Sequence, residues 1–286
     1  MTLRGVVGGQ AMWALVRDAD GVARRRVPAP TIEAADDVVV AVRAAGVCRT
    51  DLRVAGEAGP PVILGHEAAG VVVAAGREAG VEVGAAVMVV PMGAGGWLGV
   101  ERDGVFAERV RVRAADVRRL PAGMSFAVGA YVEPVAAAMG ALRSVTAGAR
   151  VRIGGAGRIA ELTARVVTAA GARVVAGGEV DVAIETDGET AALVAALRRE
   201  GTLVMNGRTA RAAPVDRAAL AARDISAVYA PHGDFGAAID WLAMGRVELR
   251  DLMAPARPLA AWREVLADAR SSEAHKQMFA VGAVVD

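Results

Sequence analysis

The chain has a single cysteine, Cys48, in 286 residues. It therefore holds no internal disulfide and no structural zinc cage built from cysteines. Aromatic residues make up only 3%, and no basic stripe carries interleaved aromatic rings, which argues against nucleic acid as a partner. Neither sign of charge dominates, with 33 Lys+Arg against 32 Asp+Glu, so no net field draws the chain to a polyanion or an anionic membrane. Lysine is nearly missing: Lys276 is the only one and every other base is Arg, a bias that reads as codon usage. The uncharged stretch from Gly84 to Val100 contains Pro91 and five glycines and is too broken for a membrane-spanning helix. Between Met1 and Asp20 no basic segment leads into an apolar core, so no signal peptide and a cytoplasmic location are expected.

What is abundant is apolar material, 54% of the chain, enough for one large domain or two modest ones. The first part reads as strands: Val38–Val42, Gly70–Val73 and Val87–Val90 are short β-branched runs bounded by Gly, Pro or Asp. After about Ser125 strands and helices alternate. Arg158–Ala170 sets Ile159, Leu162, Val166 and Val167 on one helical face, between strands at Val151–Ile153 and Arg173–Ala176. A strand at Val182–Ile184, a helix from Glu189 to Arg199 stopped by Gly201, a strand at Thr202–Met205 and a helix at Phe235–Met244 follow. The last part shows an amphipathic helix around Leu259–Leu266 and a final apolar strand. This pattern predicts an α/β protein, with a β-rich lobe followed by a parallel sheet covered by helices.

Three segments hold chemically interesting side chains: Gly46-Val47-Cys48-Arg49-Thr50-Asp51, Gly65-His66-Glu67-Ala68-Ala69-Gly70, and Tyr131-Val132-Glu133-Pro134. A thiolate, an imidazole and one or two carboxylates suit a catalytic Zn²⁺ with one open position. Taken singly, Cys48 is an ordinary small core residue and His66 an ordinary buried histidine, and spacing alone does not bring the segments together.

The run Gly65-His66-Glu67-x-x-Gly70-x5-Gly76-x-x-Ala79 resembles the signature of the zinc-containing alcohol dehydrogenases, in the medium-chain dehydrogenase/reductase superfamily. The Cys48-Arg49-Thr50-Asp51 segment, Gly104-Val105-Phe106-Ala107-Glu108 and Glu133-Pro134 resemble further motifs of that family, in the same order. The resemblance implies a GroES-like catalytic domain (1–126), a reduced Rossmann nucleotide-binding domain (127–250) and a C-terminal return to the first domain (251–286). It implies Cys48, His66 and Glu133 as zinc ligands, with Glu67 approaching the ion or exchanging with its water. Asp51 would fix the imidazole tautomer, and Thr50 would relay a proton from the substrate hydroxyl to the cofactor ribose or solvent. The four-cysteine lobe that many family members use for a second zinc is missing, so one catalytic zinc and no structural zinc are expected.

Ile153-Gly154-Gly155-Ala156-Gly157-Arg158-Ile159-Ala160 follows a strand and opens a helix, and fits the dinucleotide fingerprint as Gly155-x-Gly157-x-x-Ala160. Gly155, Gly157, Arg158 and Ile159 are the expected cofactor-binding residues. The ribose-binding acid that normally follows would be Glu179, or else Glu179 is a plain turn carboxylate; Arg158, Arg173 or Arg208 could meet a 2′-phosphate. From Val175 the chain reaches Val180 in a few residues, too few for a parallel crossover, so about one βα unit is missing. The resemblance implies a zinc-dependent, NAD- or NADP-linked alcohol dehydrogenase or carbonyl reductase acting on a small-molecule alcohol or carbonyl substrate, with a homodimer as the expected assembly. The missing unit keeps a second class open, a zinc-dependent lyase or isomerase that has lost proper use of the cofactor. His232 reads as a surface turn residue and His275 as exposed.

Overall fold

The computed structural model describes residues 10–93, 95–207, 214–272 and 274–282; Arg208 lies outside them. The chain divides into two compact units, one of Met1–Tyr131, Ala254–Ser272 and Lys276–Asp286, the other of Val132–Met253 and Glu273–His275. Among the described residues no helix is long and apolar enough to cross a membrane.

The first unit begins with strands β1 (Ala11–Asp18) and β2 (Gly21–Pro28), an antiparallel hairpin. Strand β3 (Asp37–Gly46) carries the Val-Val-Val-Ala-Val run and is buried along nearly its whole length. A strand that reads as continuous apolar sequence is one covered on both faces. Helix α1 (Arg49–Gly56) and strand β4 (Val62–Ile63) lead to β5 (Glu67–Ala75), which runs antiparallel to β3. Then come β6 (Ala86–Val89), the small hairpin of β7 (Met92–Gly93) and β8 (Gly96–Trp97), β9 (Arg109–Arg113), β10 (Val117–Arg119) and helix α2 (Phe126–Ala130). Helix α2 packs on β3 and β5, where Gly129 lies against Leu120 and Ala69.

The second unit contains helix α3 (Val132–Met139), strand β11 (Arg150–Ile153), helix α4 (Arg158–Ala169) and strands β12 (Arg173–Val174) and β13 (Val180–Glu185). Helix α5 (Ala191–Ala196), strand β14 (Leu197–Met205), helix α6 (Arg217–Ala221), strand β15 (Ser226–Tyr229) and helix α7 (Phe235–Ala243) complete it. Its five strands are all parallel, in the order β12-β11-β13-β14-β15. Leu162, Val166 and Val167 of α4 are buried, the face expected from their spacing.

Strands β12 and β13 flank β11 on opposite sides, and only residues 175–179 join them. The segment crosses at the amino end of β11 and is tied there by Arg150: its Nε donates to the Glu179 carbonyl at 2.9 Å and its Nη2 to that of Gly177 at 3.2 Å. The helix expected from Glu189 to Arg199 is shorter. At Leu197 the chain turns into β14, where Leu197 is fully buried opposite Val180 and the register shifts before Thr202 meets Val182. Burial of Leu197 against the sheet outweighs the helical preference of the Ala-rich stretch, and Gly201 lies within a strand.

The chain then returns to the first unit through β16 (Arg257–Pro258), helix α8 (Trp262–Ser271) and β17 (Met278–Ala280). Helix α8 packs on α1, and β17 pairs with β3 so that Met278 is opposite Gly46. The mixed sheet of this unit has the order β10-β6-β5-β3-β17-β16, with β9 also paired to β3.

Candidate metal centre and nucleotide cradle

The register of β3 with β5 places Gly46 opposite Glu67. Cys48 follows β3 by two residues and His66 precedes β5 by one, so the ends of two paired strands bring the two motifs together. One ligand atom from each of Cys48, His66 and Glu67 lies within 4.8 Å of the others. His66 and Glu67 are each 1% exposed.

Asp51 couples this group to α1. One carboxylate oxygen accepts the Cys48 backbone N–H at 2.8 Å, and the other lies 3.0 Å from His66 Nδ1. That bond puts a proton on Nδ1 and leaves Nε2, which is buried without a hydrogen-bond partner among the described residues. A buried polar nitrogen is rarely left unmade, and an imidazole held by a carboxylate on one side presents its other nitrogen to a metal. The donor set of thiol, imidazole and carboxylate fits zinc. Burial opposes the imidazolium, but the charge and hydrogen bond of Asp51, with the Cys48 side chain beside it, hold the His66 pKa well above its usual value. Thr50, also on α1, is buried.

Lys276 sits where the codon-usage reading had no role for it. It is 1% exposed, and its Nζ lies 2.5 Å from both carboxylate oxygens of Glu67 and 5.6 Å from the centre of the Tyr131 ring. A side chain at Gly46 would collide with the Glu67 carboxylate and press on the aliphatic part of Lys276. Gly46→Ala should therefore cost about 1–3 kcal/mol of stability by overpacking, seen as a lower denaturant midpoint, and should weaken zinc retention together with it.

Glu133 lies at the start of α3 in the second unit, buried, with Oε1 at 2.8 Å from His232 Nε2. His232 is not a surface turn residue: its side chain is 5% exposed and stacks on Phe235. The two partners are 99 positions apart; the Glu133-Pro134 motif marked one of them, but no local pattern pointed to their pairing. His275 is exposed.

In the same unit, Gly155 and Gly157 have φ of +100° and +99°, and a side chain at Gly155 would strike Thr186. Only glycine suits such a turn, and it leads into the 12-residue helix α4, whose first N–H groups can face an anion. Gly155, Gly157, Arg158, Glu161 and Leu252 line a cavity of about 420 Å³. Arg158 is buried, Ile159 partly so.

Glu179 does not belong to this cradle. It precedes β13 at the amino end of the sheet, its carbonyl held by Arg150 and its carboxylate 3.6 Å from Arg223 and mostly exposed, whereas Gly155 follows the carboxyl end of β11. The crossing segment, too short to return through a helix, carries it to the wrong edge. Val175-Ala176-Gly177-Gly178, which follow β12, contain no acid. At the carboxyl edge the carboxylates are Asp187, close to Gly155, and Glu185, buried and accepting the N–H groups of Gly188 and Gly207.

Residues 34–122 match the alcohol dehydrogenase GroES-like domain. L-threonine 3-dehydrogenase of Bacillus licheniformis is 32% identical over 178 residues, 53% of this chain and 51% of that protein, so the chain spans about half the length of such curated relatives. Among solved structures, an alcohol dehydrogenase of Escherichia coli CFT073 complexed with NADH has a TM-score of 0.85 at 19% identity, over 95% of this chain and 100% of that one. Galactitol-1-phosphate dehydrogenase of Escherichia coli has a TM-score of 0.82 at 21% identity, over 94% and 100%. These likenesses establish the fold as a GroES-like domain with a Rossmann-type sheet.

Proposed function

We propose, for a chain that belongs to the zinc-containing alcohol dehydrogenase family of the medium-chain dehydrogenase/reductase superfamily, an NAD(P)-linked, zinc-dependent alcohol dehydrogenase or carbonyl reductase activity. The reaction is hydride transfer between a secondary alcohol or ketone and the nicotinamide. The observation that carries this reading is the buried His66 Nε2, aimed by Asp51 into a group that also holds Cys48 and Glu67. Zinc, when bound there, supplies Lewis-acid polarisation of the substrate oxygen. Cys48 and His66 would hold the ion, with Glu67 as the carboxylate beside them. Asp51 fixes the tautomer and orientation of His66, and Thr50 passes the substrate's hydroxyl proton onward. Gly155 and Gly157 admit the pyrophosphate to the N-terminus of α4, with Arg158 and Ile159 at its first turn. The names of the relatives, threonine and galactitol-1-phosphate dehydrogenases, support a small polar alcohol as substrate.

One observation favours a second reading. Glu179 lies at the opposite edge and residues 175–178 after β12 contain no acid, so the position where the ribose carboxylate usually stands is empty of one. A protein of this build that keeps zinc but not the nucleotide would act as a lyase or isomerase. Metal analysis paired with calorimetric titration of NAD⁺ and NADPH separates the two. One zinc per chain, nucleotide binding and a nicotinamide absorbance change with a trial ketone are expected; zinc without any nucleotide binding would transfer the assignment to the second class.

A further inference from the structure

The hairpin β7–β8 delivers Trp97 to the candidate metal centre. The indole meets the His66 imidazole edge to face, with ring centroids 5.8 Å apart and planes at 73°. The hairpin is braced. The Trp97 backbone N–H donates to Glu101 at 2.7 Å, and its carbonyl accepts the N–H groups of Val100, Glu101 and Arg102. The Arg102 guanidinium donates to the Gly96 carbonyl at 2.9 Å and lies 3.4 Å from Asp116. The neighbouring Leu98 is fully buried and anchors the hairpin in the core of the first unit.

The indole Nε1 is buried and has no hydrogen-bond partner among the described residues. Tryptophan N–H groups that leave solvent ordinarily find an acceptor. Here two orphaned ring nitrogens, His66 Nε2 and Trp97 Nε1, belong to rings in contact. The first has the chemistry of a metal ligand. The second is a neutral donor with no affinity for a cation, and an oxygen of a substrate bound beside the ion would supply the acceptor it lacks.

We propose that Trp97 is a specificity-determining residue whose indole N–H donates to a second oxygen of the substrate, one or two carbons from the reacting carbon. This inference rests on the hydride-transfer reading and narrows it to diols, hydroxy ketones and similarly substituted alcohols. A substrate lacking that oxygen leaves the donor buried and unpaired, and a site built to hydrogen-bond a substrate discriminates most strongly against the analogue that lacks the group.

The test compares 2,3-butanediol with 2-butanol as substrates of the zinc-loaded protein and of Trp97→Phe, which keeps an aromatic ring on His66 and removes the N–H. Trp97→Phe should lower kcat/KM for the diol about tenfold more than for 2-butanol, mainly through KM. Trp97→His, which restores a ring N–H, should recover part of the preference. Equal losses on both substrates, or an unchanged ratio, overturn the inference while the dehydrogenase reading stands. Turnover of neither substrate by the wild-type protein removes that reading and this inference with it. If Trp97→Phe fails to hold zinc, Trp97→His decides alone, with a retained preference supporting the donor role and a lost one overturning it.

Discussion

Alanine in place of His66 is expected to empty the metal centre, reducing zinc from one ion per chain to near zero and turnover by about a thousandfold or more, since Lewis-acid stabilisation amounts to several kcal/mol. The geometry explains why no neighbour can compensate. Cys48 and Glu67 remain, but the imidazole is the member with a fixed direction, set by the Asp51 bond of 3.0 Å. The wild-type protein should show the same dependence through pH. Asp51 and Cys48 overcome the effect of burial and raise the His66 pKa well above its usual value. Zinc must therefore displace a proton from Nε2, so apparent affinity falls as the solution is acidified and rises with pH through the neutral range. Zinc competition with a chelator at several pH values measures this. A His66→Ala protein that retains stoichiometric zinc, or wild-type affinity that improves on acidification, would remove His66 from the ligand set.

How much of this was readable beforehand differs from residue to residue. The Val38–Val42 run and the face of α4 were legible because burial imposes a local period. The Gly155–Gly157 turn was legible because left-handed φ values demand glycine. That Cys48 and His66 meet depended on register: β3 and β5 pair so that Gly46 faces Glu67, a fact no spacing contains. Glu179 was misplaced because counting along a fingerprint assumes the usual crossover, and here residues 175–179 cross at the amino edge of the sheet instead. The pairing of His232 with Glu133 left no local trace. Lys276 left one, in being the only lysine of the chain. A slot that takes a compact ammonium between a carboxylate and a tyrosine ring is poorly suited to the broad, planar guanidinium, so the exception to the arginine bias marked a position under constraint.

Lys276→Met should be strongly destabilising. The ammonium and the Glu67 carboxylate are 2.5 Å apart with both side chains 1% exposed. Removing one partner of such a pair strands the other charge in the interior at a cost of about 3–5 kcal/mol, a large share of the roughly 5–15 kcal/mol that holds an ordinary protein folded. Glu67→Gln should be harmful for the converse reason, leaving the buried ammonium with a neutral amide oxygen in place of the carboxylate and the Tyr131 ring 5.6 Å away. The double variant, with neither charge, should recover most of the loss, because a buried ion pair has little net worth once both ions are gone. Zinc gives the cycle a second axis. In metal-free protein the stranded carboxylate of Lys276→Met is purely unfavourable. With the ion present, the same carboxylate lies within ligand distance of Cys48 and His66 and gains a cation in place of the lysine. Lys276→Met should therefore unfold at lower denaturant than wild type when stripped of metal, bind zinc more tightly, and regain more stability on loading than wild type does. Chemical denaturation of the four proteins with and without zinc measures all of these. A metal-free Lys276→Met protein within about 0.5 kcal/mol of wild type, or a double variant no more stable than the worse single one, would mean that Lys276 does not act through Glu67.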